Sequence, residues 1–501
     1  MPSRSSSSDK NAHIQQDTLE HTVGLAFQPN DNTLAIAAKE EKAVGTFEAI
    51  KIYRYAFLWC LFCGLGAILW GYDVQISGGL LSAPLFRHDF GYEYNGEDVI
   101  PARWQSAFNS VGSIGGMFGG ITVGWIADSI GRRGSIAMAS IISITAIFIQ
   151  FFCPPHYNAL MLVGKLINGI ALGMYISSAS AYGSEISPVA LRGITTGTVN
   201  LWIVFGMEAD DFSAIQWIFP VIILIGLPFT PESPWYLARK GLIERARRVL
   251  FRLGFQDVDL HLRQIQETIA LENHYDKETT YWQCFKDNNR RRTIIALMVF
   301  VLQQIVGVIF VLGYSTYFFQ LAGFRTSDSF KLGVGVTAIG LVGNLTALYS
   351  VNKFGRRPLF LWGMIGCTAV NLGIGFSSLS KTKAARWSEA IFTLIFGLIY
   401  QGSIGPLGYV IFSEISSAKL RSKTVGIGIC VNSLCGIYLV NPDEANLKGK
   451  VGYIFGGLGL LGCIWTFFFI PETKNRTVDE LDALFEAKVS SRKFGKTTVD
   501  R

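Results

Sequence analysis

The stretch that decides the fold is GWIADSIGRR, residues 124–133, because its ending returns as KFGRR at residues 353–357. Two other polar motifs also occur twice. They are Glu185 with Arg192, repeated as Glu414 with Arg421, and Pro231-Glu232-Ser233, repeated as Pro471-Glu472-Thr473. The copies are 224, 229 and 240 residues apart (356−132, 414−185 and 471−231). Long apolar runs lie between these motifs, so the sequence predicts two similar hydrophobic halves.

The composition indicates a membrane protein. Of the 501 residues, 50% are hydrophobic and only 16% are charged, and the mean hydropathy is +0.34. Soluble proteins typically carry about 25% charged residues. The 53 glycines also suit helices that approach closely in lipid. The net charge of +7 does not predict nucleic-acid binding, because the basic residues lie in short connections between apolar runs. A lipid bilayer is the expected surrounding.

About 20 apolar residues are needed to cross a bilayer, and by this criterion the sequence predicts twelve transmembrane helices. In chain order, spans one to twelve are Tyr55–Ala83, Trp104–Ala127, Gly134–Cys153, Ala159–Tyr182, Gly193–Met207, Phe212–Thr230, Thr293–Ala322, Leu332–Val351, Leu359–Leu379, Ala390–Ser413, Thr424–Val440 and Val451–Ile470. The expected fold class is therefore an all-α membrane protein with two pseudo-symmetric six-helix halves, residues 51–230 and 293–471. Such parallel repeats are typical of transporters.

The basic residues predict the orientation. They are concentrated in residues 231–292, whereas the connections on the other face are poor in them. Basic connections remain in the cytosol, so this segment is predicted to be a cytosolic linker with short amphipathic helices. Since the number of spans is even, both termini are predicted to be cytosolic. Residues 1–50 read as a disordered tail, and residues 472–501 as a cytosolic C-terminal tail.

Polar residues inside the spans predict a central cavity, because such residues are costly in hydrocarbon. Asp73 interrupts span one and Lys165 interrupts span four. The amides and tyrosines of interest are Asn200, Gln303, Gln304, Tyr314, Gln401, Tyr409 and Asn432. Amides donate and accept hydrogen bonds, and tyrosines add a flat apolar face with a hydroxyl. This mixture suits a neutral polyhydroxylated ring better than an ion. For any single residue, the alternative is a hydrogen bond between helices.

Over about residues 50–490 the chain resembles the sugar-porter family of the major facilitator superfamily. The motifs that carry the resemblance are Gly124-x3-Asp128-x2-Gly131-Arg132-Arg133, Glu185 to Arg192, Pro231-Glu232-Ser233, Gln303-Gln304, Gly355-Arg356-Arg357 and Pro471-Glu472-Thr473. Trp104-Gln105-Ser106 and Phe412-Ser413-Glu414 are similar to the fungal α-glucoside (maltose-type) permeases. The resemblance implies the major facilitator fold and a monomeric transporter, not an enzyme, without cofactor or metal.

The resemblance also implies roles for single residues. Gln303, Gln304 and Asn432 match positions that contact sugar, and Asn200 stands where many members have a glutamine. Asp73 matches the proton-coupling carboxylate, and Lys165 its basic partner. The residues that match the charged inner gate are Asp128, Arg132, Arg133, Glu185, Arg192, Arg356, Arg357, Glu414 and Arg421.

Three positions depart from the family pattern. Ile309 replaces an asparagine, Tyr409 replaces a tryptophan, and Asn352 replaces an acid.

The predicted function is alternating-access transport of a small-molecule sugar, an α-glucoside or hexose, together with protons across the plasma membrane. Burial favours the neutral carboxyl of Asp73 and a nearby lysine favours the carboxylate, so substrate and conformation together set its protonation. The alternatives are an uncoupled hexose facilitator and a non-transporting sugar sensor. An uncoupled carrier needs no acid in span one.

Spans five and eleven are predicted to be short. Span five reaches the acidic residues 208–211 after about 15 residues, or about 22 Å of helix, against a hydrocarbon core of about 30 Å. Span eleven has about 17 residues before Asn441-Pro442. Compared with the family pattern, each lacks residues at its outer end, which predicts impaired transport.

Overall fold

The computed structural model describes residues 46–82, 84–94, 97–207, 216–275, 281–308, 319, 324–380, 382–416, 420–439, 451–474, 476, 478–495 and 497. Residues 1–45, most of the tail predicted to be disordered, lie outside this set, as do Tyr314 and Ile309. Residues 46–495 belong to one compact unit of packed helices.

The N-terminal half follows the predicted order of spans. Span one consists of two helices, and spans two and three form one helical run that is interrupted at Gly131. The helices of this half are Thr46–Ile52, Arg54–Gly64, Gly66–Ser82, Pro84–Phe90, Ala102–Phe151, Asn158–Ile186, Val189–Met207 and Ile218–Gly226, with a 3-10 turn at Leu227–Phe229. A small antiparallel hairpin, Tyr92–Tyr94 with Glu97–Val99, lies in the connection after span one.

The C-terminal half repeats this arrangement. Span ten is divided at Ser403, whose φ of −146° and ψ of −79° interrupt the helix. The helices are Asp287–Ile305, Thr326–Phe354, Arg356–Ser377, Lys383–Gly402, Ile404–Ile415, Arg421–Leu439 and Val451–Phe469.

The described parts of residues 231–292 and of the C-terminal segment lie on one face of the bundle, which we call the linker face. The linker contains the helices Pro234–Arg239, Ile243–Leu253 and Val258–Tyr275 and a 3-10 turn at Tyr281–Phe285. The helix Val478–Glu486 and a 3-10 turn at Ser491–Lys493 follow span twelve. Arg291 donates to the Val489 carbonyl and to Ser491, and Arg292 pairs with Asp482.

These contacts hold the C-terminal residues against the base of span seven. The cytosolic position of both segments stays a prediction.

Seven helical segments of the described residues are long and apolar enough to cross a membrane, and one of them, Ser110–Phe151, contains parts of spans two and three. Span six is a shorter apolar segment, Ile218–Phe229. The helices of spans five and eleven, Val189–Met207 and Arg421–Leu439, each have 19 residues and begin before the apolar stretch. Large side chains such as Ile225, Phe148 and Leu461 are exposed, as expected where lipid is the solvent.

An apolar cluster joins the two halves at the centre. Ile176 and Val199 from the first half pack with Phe300, Phe412 and Ile429 from the second. Span eleven approaches span two so closely that a Cβ on Gly120 would lie 2.8 Å from the Gly426 carbonyl oxygen. Small residues permit this backbone contact. The halves are thus packed tightly against each other toward the linker face.

Candidate functional site

The first charged network is built around Arg132, which begins span three directly after Gly131. Its guanidinium donates to Glu185 Oε1 at 3.2 and 2.9 Å and to the Ala127 carbonyl at 3.1 Å. Both charged side chains are buried, and the hydroxyl of Ser233 donates to the second oxygen of Glu185. A buried pair is stable only with such additional hydrogen bonds.

Glu232 secures the turn at Gly131 itself. Its carboxylate accepts the backbone N–H groups of Arg132 at 3.0 Å, of Arg133 at 3.3 Å and of Ser233 at 2.9 Å. Gly131 has a φ of +87°, a conformation that favours glycine, and a Cβ there would overlap the Glu232 carboxylate. Burial raises the pKa of Glu232, and these N–H groups and the charge of Arg132 oppose the increase.

The second half repeats this network. Arg356 donates to Glu414 at 3.1 and 2.7 Å, and Thr473 donates to Glu414 at 2.6 Å. The Glu472 carboxylate accepts the N–H groups of Arg356 and Arg357 at 3.0 and 3.2 Å, and Gly355 has a φ of +93°. The repeated motifs therefore form two equivalent charged clusters, one in each half. In each cluster, hydrogen bonds connect two loops and the end of one helix.

A separate set of contacts crosses between the halves on the linker face. Lys423 of span eleven is 1% exposed, and its Nζ lies 2.5 Å from Asp128 Oδ2 in span two. Tyr281 of the linker donates to the Ile121 carbonyl, and its ring makes an edge contact with Trp125 at 5.1 Å. Together these contacts close the linker face.

The proton-coupling pair predicted from the resemblance is present as a contact. Asp73 Oδ1 lies 3.7 Å from Lys165 Nζ. Lys165 is buried, and Asp73 is partly exposed. A Cβ on Gly112 of span two would lie 3.3 Å from the other oxygen of Asp73, so the carboxyl fits closely between spans one, two and four.

The predicted sugar-contacting amides occur as two pairs that join helices. Gln304 of span seven donates to Asn432 Oδ1 of span eleven at 2.5 Å, and Asn200 of span five donates to Gln401 Oε1 of span ten at 2.7 Å. The side-chain oxygen Oε1 of Gln304 is buried and has no hydrogen-bond partner among the described residues. The second pair connects the two halves of the molecule.

Gln303 makes a different contact. Its Nε2 donates to the carbonyls of Ile404 and Gly405 at 2.9 and 3.0 Å, just after the break in span ten at Ser403. The amide therefore satisfies backbone oxygens near the break. Tyr409 is buried, with its ring 5.6 Å from that of Phe300.

Asn344 of span eight is a site candidate that the sequence did not reveal. It is completely buried, and within the part of the chain that the structure describes neither polar atom of its side-chain amide has a hydrogen-bond partner. One turn earlier, a Cβ on Gly340 would lie 3.2 Å from Gln401 Cγ, and one turn later Leu348 contacts Gly197 of span five. Asn344 therefore lies at the level of the Asn200–Gln401 pair. Nothing in the Asn-Leu-Thr sequence around it, within span eight, indicates a ligand contact.

Lys423 and Tyr281 were also missed, and no local sequence signal marks them. Ser233 and Thr473 belong to the repeated Pro-Glu-Ser and Pro-Glu-Thr motifs, but the sequence did not indicate their hydrogen bonds to Glu185 and Glu414. Arg133 donates to the Thr230 carbonyl at 3.5 Å, and Arg357 to that of Phe467 at 2.8 Å. The structure gives less detail on the contacts of two residues of the predicted inner gate. Arg192 is buried at the start of span five, and the side chain of Arg421 lies outside the described residues.

The geometry suits a carrier with two alternating seals. The buried charged clusters each stabilise one half. The Lys423–Asp128 pair instead joins the two halves, and it can break and form again when they move. The Asp73–Lys165 pair lies inside the bundle, as do amide atoms for which the described residues provide no partner. Polar groups there are costly and therefore typically mark a functional site.

Comparisons with known proteins show the family to which this chain belongs. The family model "Sugar (and other) transporter" matches residues 59–208 and 211–485. A general alpha-glucoside permease of Saccharomyces cerevisiae is 32% identical over 97% of this chain and 86% of its own. The maltose permease MAL31 of the same yeast is 30% identical over 98% of this chain and 87% of its own.

Solved structures show the same fold. The proton:xylose symporter XylE bound to 6-bromo-6-deoxy-D-glucose superposes with a TM-score of 0.73 at 23% identity, covering 86% of this chain and 99% of its own. A partially occluded inward-open form of XylE from E. coli gives a TM-score of 0.67 at 21% identity, over 85% and 100% of the chains. The predicted all-α major facilitator fold is confirmed, and so is the predicted family. This chain belongs to the sugar transporter family of multi-pass membrane carriers and is not an enzyme.

Proposed function

We propose that this protein is a proton-coupled symporter of α-glucosides in the plasma membrane and that it works by alternating access. In this proposal its linker face and both termini lie in the cytosol. The observation that carries the coupling is the contact of 3.7 Å between Asp73 and buried Lys165. A carboxyl in contact with a basic side chain inside a transmembrane bundle is a typical part of a proton pathway in transporters. Both residues belong to the first half, so a shift of span one against span four within that half would change their separation.

Sugar recognition is assigned to the amides on spans five, seven, eight, ten and eleven. Gln304 Oε1 and both side-chain polar atoms of Asn344 are buried and have no partner in the described residues, so hydroxyl groups of a sugar would satisfy them. The Asn200–Gln401 bond joins the halves, and a sugar placed there would contact both. The names of the yeast relatives support an α-glucoside as the substrate.

Uptake in yeast cells that lack their own sugar carriers tests the proposal. Radiolabelled maltose, other α-glucosides, glucose and xylose are offered with and without a protonophore. We expect accumulation of an α-glucoside above its external concentration that the protonophore abolishes. Uptake that only equilibrates would establish a facilitator, and surface-localised protein without any uptake would favour the sensor.

The substitution Asp73→Asn isolates the coupling step. We expect this variant to lose accumulation and to retain exchange of labelled for unlabelled sugar, because only the titratable group is removed. Glu389→Gln is the matched control, since Glu389 is another buried carboxyl within a span and makes no ion pair among the described residues. Undiminished accumulation by Asp73→Asn would refute proton coupling through Asp73.

A further inference from the structure

A groove on the outside of the N-terminal half carries an inference that is independent of the proposed function. It lies where spans three and six meet the linker and has a volume of about 430 Å³. Ala137, Leu224, Leu227 and Pro228 form its apolar wall, and Arg133 and Glu232 line its other end. This volume is comparable with that of small-molecule pockets, about 300–1,000 Å³.

The neighbouring surface faces lipid. Ile130 lines the groove and is exposed, and Ile225 and Phe229 on the same turn of span six are exposed as well. Exposed side chains of this size on a transmembrane bundle are in contact with acyl chains. The apolar wall of the groove is therefore open to the leaflet on the linker face.

Two guanidinium groups stand at the end of span six beside the groove. Arg133 Nη1 donates to the Thr230 carbonyl at 3.5 Å, and Arg252 Nη2 of the linker donates to the adjacent Phe229 carbonyl at 2.7 Å. Neither guanidinium lies within 4 Å of a carboxylate among the residues that the structure describes. A guanidinium has five N–H donors, so each retains donors for an anion.

Glu232 also lines the groove, but its carboxylate is already engaged by the backbone. Its carboxylate accepts backbone N–H groups of Arg132, Arg133 and Ser233, which hold it against the turn.

The other half shows the same place covered by protein. Arg357, the counterpart of Arg133, donates to the Phe467 carbonyl. Arg492 from the C-terminal residues lies over the rings of Phe467 and Phe468, 4.7 and 5.8 Å from their centroids, and Gly495 lies beside Glu472. The C-terminal residues therefore cover this position in the C-terminal half, whereas the equivalent position in the N-terminal half is an open groove.

From this geometry we propose that the groove binds an anionic glycerophospholipid of the leaflet on the linker face. Its phosphate accepts hydrogen bonds from Arg133 and Arg252, which bind an anion by charge and by paired N–H groups. One acyl chain lies along Ala137, Leu224 and Leu227. The lipid thereby links the end of span six to the linker helix Ile243–Leu253, which carries Arg252.

Binding of tail-labelled fluorescent phosphatidylserine to the purified full-length protein in detergent tests the proposal, with tail-labelled phosphatidylcholine as the neutral comparison. We expect phosphatidylserine to bind more tightly. Arg252→Gln should weaken its binding about fivefold, equivalent to about 1 kcal/mol for one basic group at an anionic surface. Ala137→Phe fills the apolar wall without changing the charge and should reduce binding of the labelled lipid as well.

Arg248→Gln is the matched control, because Arg248 lies on the same linker helix and its only hydrogen bond to a described residue is with the Glu244 carbonyl of that helix. It should leave binding unchanged. Thermal unfolding midpoints verify that each variant is folded. Equal binding of the two lipids, an equal effect of Arg248→Gln and Arg252→Gln, or unchanged binding by Ala137→Phe would each overturn the assignment. Competition by inorganic phosphate as strong as by unlabelled phosphatidylserine would also overturn it, since the site would then bind a free anion.

Discussion

Loss of the Lys423–Asp128 ion pair should open the linker face, and a native cysteine can report this opening. Lys423 is buried, whereas the Asp128 side chain is 37% exposed. Exposed pairs contribute up to about 1 kcal/mol, and breaking a buried pair at one partner costs about 3–5 kcal/mol. For this half-exposed pair we expect about 1–2 kcal/mol. That free energy corresponds to a 5- to 30-fold larger open population in Lys423→Gln.

Cys284 is the reporter, because it is fully buried on the linker face and its Sγ lies 3.7 Å from Thr424 Oγ1 of span eleven. The assay is the rate of maleimide labelling in membranes, in a protein whose other seven cysteines are serines. Burial raises the pKa of the Cys284 thiol, and Thr424 and Lys423 lower it. Loss of the lysine charge alone would therefore raise the pKa and slow labelling. Faster labelling of Cys284 in Lys423→Gln can therefore come only from opening of the linker face.

The double variant Asp128→Asn with Lys423→Gln should label no faster than the faster single variant, since both act on one contact. Arg247→Gln is the matched control. It breaks the exposed pair of Arg247 with Asp259 at 2.9 Å, which does not join the halves. Labelling of Lys423→Gln at the parental rate, or equal acceleration by Arg247→Gln, would refute the role of the pair as a seal.

Three further predictions concern the site and the fold. Gln304→Ala and Asn432→Ala should each weaken sugar affinity several-fold, since a hydrogen bond contributes about 0.5–1.5 kcal/mol net; unchanged binding in both would assign the pair to helix packing. Gly131→Ala and Gly355→Ala should lower the thermal unfolding midpoint, because the new Cβ would overlap a carboxylate and a non-glycine residue at a positive φ costs about 1–3 kcal/mol. Gly457→Ala should leave the midpoint unchanged, since its Cβ would have no neighbouring atom within 4 Å. Insertion of family-like residues after Gly206 and Val440 should raise sugar uptake, and equal uptake by the unaltered chain would show that the short spans five and eleven are functional.

The repeated motifs and the apolar runs were sufficient to predict the architecture. A run of about 20 apolar residues has few folded alternatives in lipid, because every backbone group must be bonded within its own helix. The two charged clusters could also be predicted in part, because their residues recur in the sequence at a constant spacing. Gly131 and Gly355 precede Arg132 and Arg356 at turns, and Glu185 and Glu414 supply the opposite charge at the same offset.

Contacts between distant segments could not be predicted in this way. Lys423 and Asp128 are 295 positions apart, and nothing near either residue indicates the other. The sequence also placed Gln303 and Gln304 together as sugar contacts, but the structure separates their roles. Gln303 holds the carbonyls that follow Ser403, while Gln304 bonds Asn432. Which of two adjacent amides faces a helix break depends on the rotation of span seven against spans ten and eleven.

The amino-acid sequence by itself determined that this chain crosses the membrane as two related six-helix halves, because hydrophobic length and repeated turn motifs are local properties. Only the tertiary structure decided what closes the linker face, and which amide atoms remain without a protein partner. It also decided where the C-terminal residues cover one half while the groove beside Arg133 stays open on the other. These features depend on how helices far apart in the chain pack, and packing directs each polar group either to a neighbour or to a site for a ligand.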